Sequence, residues 1–177
     1  MKVKTLELQI GPIHTPIGEA LVVFDDEKSL RAFDWKDHED RMLRLLRRQY
    51  GVGLDLRLAK TPNEITRAFD AYFGGDLKAL EQIPCQTAGT PFQREVWSAL
   101  RSIPAGQTRS YGQLAAKLGR PKAMRAVGLA NGSNPIGVVV PCHRVIGADG
   151  SLTGYGGGLE RKRWLLAHEG VQLALSA

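Results

Sequence analysis

The chain contains only two cysteines in 177 residues, Cys85 and Cys142. Two thiols cannot make the disulfide framework of a small secreted fold. With four scattered histidines (His14, His38, His143 and His168) they offer no zinc-binding spacing, so no metal is expected. No apolar run approaches the length of a membrane span. The opening residues, Met1-Lys2-Val3-Lys4-Thr5-Leu6-Glu7, alternate charge with apolar side chains and lack the hydrophobic segment of a secretory leader. A glycine-rich stretch, Gly154-Tyr155-Gly156-Gly157-Gly158, is not followed by Gly-Lys-Ser/Thr, which excludes a phosphate loop. These absences predict a reduced, cytoplasmic protein with no membrane contact.

Acidic residues are scarce in one half only. Residues 89–177 hold 11 Lys and Arg against 4 Asp and Glu, a net charge of +7, whereas residues 1–88 hold 13 against 14, a net of −1. The second half suits a polyanionic partner, although a solvated basic surface without a partner would look the same. The remaining composition is ordinary for a globular chain, with 43% hydrophobic and 24% charged residues. The length allows one large domain or two small ones.

Residues 4–10 and 17–24 alternate as strands, with Gly11-Pro12 and Thr15-Pro16 as punctuation, and Leu30 to Trp35 suits a third strand. Asp37 to Tyr50 switches to helical spacing and stops at Gly51-Val52-Gly53. Thr61-Pro62-Asn63-Glu64 reads as a capping box that opens a helix with Ile65, Phe69 and Tyr72 on its apolar face. Residues 76–89 read as a connector, and Cys85 within it has no titratable neighbour. The pattern predicts a small α+β domain over residues 1–88 and a second domain over residues 89–177.

In the second domain, Thr90-Pro91-Phe92-Gln93 caps a helix burying Phe92, Val96, Trp97 and Leu100, and Ser110-Tyr111-Gly112-Gln113 opens a short helix ending at Gly119. A further helix, Lys122 to Asn131, follows a tight turn, which makes a helix-turn-helix pattern. Its small residues Ala123, Ala126, Gly128 and Ala130 allow close approach to a nucleic-acid backbone or to the protein's own core, and the pattern does not choose between them. Arg125, the one long cation among them, either extends to solvent or reaches into DNA. Leu159 to His168 forms the last helix. Glu169 at its C-terminal end is disfavoured by the helix dipole and so needs another partner.

The chemistry concentrates in Val138 to Gly147. The β-branched run Val138 to Val140 reads as a strand buried on both faces, and Pro141 should end its pairing. Cys142, His143 and Arg144 follow at once. The thiolate is the reactive form of cysteine, and neighbouring positive charge stabilises it. A cysteine that merely packs is the alternative, but a His-Arg pair beside it is hard to place in an apolar core.

Pro141-Cys142-His143-Arg144-Val145 resembles the active-site signature of the O6-alkylguanine-DNA alkyltransferases, the methylated-DNA–protein-cysteine methyltransferases. The likeness extends through Thr90-Pro91-Phe92-Gln93, Tyr111-Gly112-Gln113-Leu114-Ala115, Arg125-Ala126-Val127-Gly128, Asn134-Pro135, Tyr155-Gly156-Gly157 and Trp164-Leu165-Leu166. The first half resembles the N-terminal domain of bacterial members of the Ogt type, and the cysteine-rich zinc domain of the Ada type is lacking. The resemblance implies an α+β fold: a small ribonuclease H-like N-terminal domain, then a mostly helical domain with helix-turn-helix and winged-helix-like architecture. It implies irreversible transfer of an alkyl group from O6-alkylguanine, and from O4-alkylthymine, to Cys142 in a single turnover, without a cofactor.

The resemblance also implies residue roles. His143 would act through a water as the base for Cys142, and Glu169 would hold and polarise the imidazole. Neighbouring residues of an extended chain point to opposite sides, which disfavours a direct Cys142–His143 contact and suits a bridging water. Tyr111 would donate a proton to the departing guanine, and Asn134 would hold the local turn. Arg125 would fill the gap left by the flipped base, with Ala123, Ala126, Ala130 and Arg144 against the DNA. Tyr155, Gly156, Gly157 and Val145 would wall the pocket. The partner would be double-stranded DNA, bound by a monomer through the minor groove with little sequence specificity and strong salt dependence. Cooperative assembly on DNA is left open. Two other classes remain: a lesion-binding protein without transfer, which the presence of Cys142 opposes, and a cysteine hydrolase using Cys142, His143 and Glu169, which leaves the basic helix-turn-helix unexplained.

Overall fold

The computed structural model describes residues 5–51 and 53–173. The opening residues Met1 to Lys4, with the expected strand start at Lys4, and the helix-stop residue Val52 lie outside the described residues. The chain divides into two compact units, Met1–Ala88 and Gly89–Ala177.

In the first unit, strands β1 (Leu6–Thr15), β2 (Gly18–Phe24) and β3 (Leu30–Trp35) form an antiparallel meander. Strand β4 (Leu54–Leu58), an alternating Leu-Asp-Leu-Arg-Leu segment absent from the expected elements, adds parallel to β1 and gives the order β3-β2-β1-β4. Strand β1 runs through Gly11-Pro12 instead of stopping there. Pro12 opposes Leu21 of β2, and β4 pairs with β1 only as far as Ile10 opposite Leu58. The missing N–H of Pro12 therefore lies past the end of the β4 ladder.

Helices cover both faces of this sheet. Helix α1 (Glu39–Tyr50) sets Met42 and Leu46 against Leu8, Ile10, Leu21, Val23 and Ala32. On the opposite face Phe33 stacks on Phe69 of α2 (Asn63–Phe73), with ring centroids 5.1 Å apart. Ala20 to Phe24 is accordingly buried without alternation. Helix α2 lacks the expected capping box. Its N-cap residue is Pro62, and the Thr61 hydroxyl donates instead to the Pro12 carbonyl at 2.7 Å.

The second unit is mostly helical. Helices α3 (Pro91–Arg101) and α4 (Tyr111–Lys117) both open with reciprocal capping boxes, Thr90 with Gln93 and Ser110 with Gln113. Helix α4 ends in a Schellman turn. Gly119 takes φ 69°, its N–H bonds Ala116 O at 2.9 Å, and Arg120 N–H bonds Ala115 O at 2.9 Å. Helix α5 (Met124–Gly132) follows, so Lys122 lies outside it and Ala123 is its N-cap. Helix α6 spans Leu159–His168. Strand β5 (Arg109–Ser110) pairs in parallel with β6 (Val145–Ile146), Arg109 opposite Val145 and Ser110 opposite Ile146. Among the described residues no helix is long and apolar enough to cross a membrane.

Candidate active site

Val138 to Val140 are buried, as their apolar side chains require, but they form a turn and not the expected strand. Val138 takes φ 67°, a strained value for a β-branched residue, and the next N–H, of Val139, returns to Gly137 O at 2.8 Å. Asn134 ties the turn from inside: its Nδ2 donates to Val140 O at 2.7 Å and its Oδ1 accepts from Ile136 N–H at 3.0 Å. Pro141, at φ −82° and ψ 66°, makes an inverse γ-turn in which Cys142 N–H also donates to Val140 O, at 2.8 Å. One carbonyl thus connects the Asn134 amide with the backbone of Cys142. Cys142–Arg144 is a short 3-10 helix, not extended chain, so strand alternation does not govern how Cys142 and His143 are placed.

That helical turn sends two nitrogen-bearing side chains inward. His143 is fully buried, and its Nε2 lies 2.9 Å from Glu169 Oε1. Arg144 is 8% exposed and engages Glu169 twice, from Nε to Oε2 at 2.9 Å and from Nη2 to Oε1 at 2.8 Å. Its third nitrogen, Nη1, donates to Ile103 O at 2.5 Å. Glu169 sits at the C-cap of α6, where Gly170 at φ 84° reverses the chain and Val171 N–H closes on Leu166 O at 2.9 Å. Burial alone would raise the Glu169 carboxyl pKa, but His143 and Arg144 outweigh it and hold the group far below the usual carboxylate range. Burial lowers the His143 pKa, against the opposing pull of Glu169. The imidazole is therefore neutral at neutral pH. With an ionised Glu169 on Nε2, the ring proton belongs there, and Nδ1 carries the basic lone pair. Nδ1 is buried and bonded by no side-chain or backbone group among the described residues.

Lys162 is the functional-site residue that sequence reasoning misses. It is 0% exposed, and its Nζ donates to Val145 O at 2.7 Å and Thr153 O at 2.8 Å. Burial pushes its pKa down to about 8, and the charge of Cys142 pulls it back up. It lies within the charged run Glu160-Arg161-Lys162-Arg163. The signal was its register, because Lys162, Leu165, Leu166 and Glu169 follow i, i+3, i+4, i+7 and share one helix face. Thr153 meets a second site residue: its Oγ1 lies 2.8 Å from the Tyr111 hydroxyl. The Tyr111 ring runs past Gly128 of α5, where an added Cβ would touch it at 3.7 Å.

The residues expected on DNA separate into two groups. Arg125 and Ala126 are exposed on α5 and Ala123 is half-buried at its start. Ala130 is 3% exposed and its carbonyl accepts from Trp97 Nε1 at 2.9 Å, so it packs inward and cannot face DNA. Arg144 is likewise corrected: its guanidinium is spent on Glu169 and Ile103. Of the expected pocket residues, Val145 is buried in the β5–β6 ladder, Gly157 is buried, Tyr155 is half-buried and Gly156 is exposed. Among the described residues no three His, Cys, Asp or Glu side chains converge to hold a metal ion.

Two family models account for most of the chain. Residues 9–87 match the 6-O-methylguanine DNA methyltransferase ribonuclease-like domain, and residues 91–171 match the 6-O-methylguanine DNA methyltransferase DNA binding domain. A methylated-DNA–protein-cysteine methyltransferase of Salmonella typhimurium is 54% identical over 169 residues, covering 95% of this chain and 99% of that protein. The chain belongs to the methylated-DNA–protein-cysteine methyltransferases. It is a DNA-repair alkyltransferase whose acceptor is a cysteine.

Solved methyltransferase structures agree in fold. The Mycobacterium tuberculosis OGT crystal structure in complex with DNA superposes with a TM-score of 0.76 at 39% identity, covering 91% of this chain and 92% of that one. The O6-methylguanine-DNA methyltransferase of Pyrococcus kodakaraensis gives a TM-score of 0.65 at 25% identity, covering 93% and 99%. The methyltransferase architecture, a sheet unit followed by a helical unit, is thus the one described above.

Proposed function

We propose that this methyltransferase takes the alkyl group of O6-alkylguanine, and of O4-alkylthymine, onto Cys142 Sγ. The His143–Glu169 pair carries the reading: Glu169 fixes the proton on Nε2, so the buried, unbonded Nδ1 is left as a base beside the thiol-bearing residue. Nδ1 accepts the Cys142 proton through a water. The thiolate attacks the alkyl carbon, the S–C bond forms as the C–O6 bond breaks, and Tyr111 gives its proton to the departing guanine. The thioether is stable, so each molecule reacts once. The Lys162 ammonium sits where its charge favours the thiolate, and Asn134 keeps Cys142 on its turn.

A thiolate cannot reach O6 inside a stacked duplex, so the base is flipped out and Arg125 takes its place. The exposed Arg125 and Ala126, and the half-buried Ala123, support α5 as the element that enters the minor groove. The net charge of +7 on residues 89–177 supports salt-sensitive, weakly sequence-specific binding. The M. tuberculosis OGT complex supports DNA as partner. Tyr155, Gly156 and Gly157 wall the pocket, residues 1–88 act as scaffold, and the protein works as a cytoplasmic monomer.

Intact mass after incubation with duplex DNA carrying O6-methylguanine tests this. One methylene gained per molecule, mapped to the Cys142 peptide and absent from Cys142→Ala, is the expected result. Tight binding without gain would mean a lesion binder, and turnover of an ester or amide would mean a hydrolase.

A further inference from the structure

Thr153 has no role in the reaction as described so far, yet its two polar groups lie on two functional side chains. Its carbonyl accepts from the buried Lys162 ammonium at 2.8 Å, and its hydroxyl lies 2.8 Å from the Tyr111 hydroxyl. The same ammonium holds Val145 O, at the end of the Cys142–Arg144 turn, at 2.7 Å. Lys162 therefore pins Thr153 to the thiol-bearing segment, and the Thr153 side chain carries that restraint to Tyr111. The loop around it, Leu152 to Gly158, is rich in glycine and would not hold such a position unaided.

We propose that Thr153 is the positioning residue for the proton donor of the transfer step, its hydroxyl donating a hydrogen bond to Tyr111 Oη. This rests on Tyr111 being the group that protonates guanine. A threonine hydroxyl rotates freely and both donates and accepts. When it donates to Tyr111, the phenol keeps its own O–H for the substrate. As the Tyr O–H bond breaks and the proton passes to guanine, negative charge develops on Oη. The Thr153 hydrogen bond then becomes charge-assisted and strengthens in the transition state. Thr153 loses no proton, so the only proton moved at this end of the site is the phenolic one. The alternative orientation, Tyr111 donating to Thr153, would tie up the acid and slow transfer.

Single-turnover methyl transfer in a two-by-two set of variants decides it. Thr153→Val keeps the shape and removes the hydroxyl; it should slow transfer about ten- to a hundredfold, the worth of one hydrogen bond to a charged group. Thr153→Ser should restore most of the rate. In a Tyr111→Phe background, Thr153→Val should cost nothing further, because there is no phenolic oxygen left to act on. Equal slowing in both backgrounds would make Thr153 merely structural and overturn the proposal, as would an unchanged or faster Thr153→Val. If Thr153→Val unfolds, Thr153→Ala carries the same comparison. Tyr111→Phe transferring at the parent rate would overturn both this inference and the acid role of Tyr111, while methylation of Cys142 would still stand on its own mass measurement.

Discussion

Arg144 holds Glu169 through a two-point contact, Nε to Oε2 at 2.9 Å and Nη2 to Oε1 at 2.8 Å, on the same carboxylate that His143 meets. A planar guanidinium fork matches a carboxylate in this way, and lysine would not. The arginine of the signature therefore orients the Glu169 carboxylate from inside. Glu169 cannot rotate away from His143 without giving up both bonds to Arg144.

Arg144→Met leaves Glu169 buried with His143 and without its two guanidinium bonds. Unfolding in urea should show a loss of about 3–5 kcal/mol, as when one member of a buried pair is removed. A loss below about 1 kcal/mol, the scale of an exposed pair, would contradict the internal role.

Acid should destabilise the protein in two stages. The His143 pKa is lowered from 6.5 in the fold, so the unfolded chain takes up its proton first. Stability is full above pH 6.5 and falls as pH drops through that value. The Glu169 pKa is lowered from 4.5, so its contribution is present above pH 4.5 and is lost on further acidification. Each group gives a slope of at most about 1.4 kcal/mol per pH unit. His143→Gln should remove the first stage in a plot of unfolding free energy against pH, and an identical first stage in that variant would refute the assignment.

Asn134→Ala orphans Ile136 N–H and takes the Asn134 amide off Val140 O, both inside a turn already strained at Val138. The expected cost is about 1–3 kcal/mol, seen as a lower melting temperature. Transfer should slow as well, because the Val140 carbonyl also receives Cys142 N–H. Parent stability with parent rate would remove Asn134 from the site.

Arg125→Ala should leave the fold within about 0.5 kcal/mol of the parent, since the side chain is exposed. Its effect belongs to duplex DNA: slower transfer from a paired O6-methylguanine than from a single-stranded one, where no base need be extruded. A uniform slowing on both substrates would argue against a place in the stack. The salt slope of duplex affinity should fall by no more than about one counterion.

Local chemistry was legible in the sequence, and long-range chemistry was legible only through family resemblance. Thr90 and Ser110 cap as read because both partners of each box lie within three residues. Thr61 has the same local pattern, yet Pro12 captures its hydroxyl from a distant strand. Val138 to Val140 were correctly read as buried, but a β-branched run reports burial and not extension, and the Asn134 amide bends it. Arg144 was expected on DNA, and Lys162 drew no expectation at all. Their partners, Glu169, Ile103, Val145 and Thr153, come from other segments of the unit, and no periodicity announces a carbonyl acceptor. Strand β4 did carry a signal, the alternation Leu54-Asp55-Leu56-Arg57-Leu58, whereas β5 and β6, at two residues each, offered too few for a pattern.

The β5–β6 ladder has only two residues on each side, yet Tyr111 follows directly after one and the Cys142–Arg144 turn leads directly into the other. It acts as a ruler between the Tyr111 and Cys142 segments, written in backbone hydrogen bonds and not in side chains. A catalyst that cycles has to let product out and fresh substrate in at every turnover. A protein consumed by its first event has no second substrate to admit, so the gap across which the alkyl group moves can be fixed once, at folding.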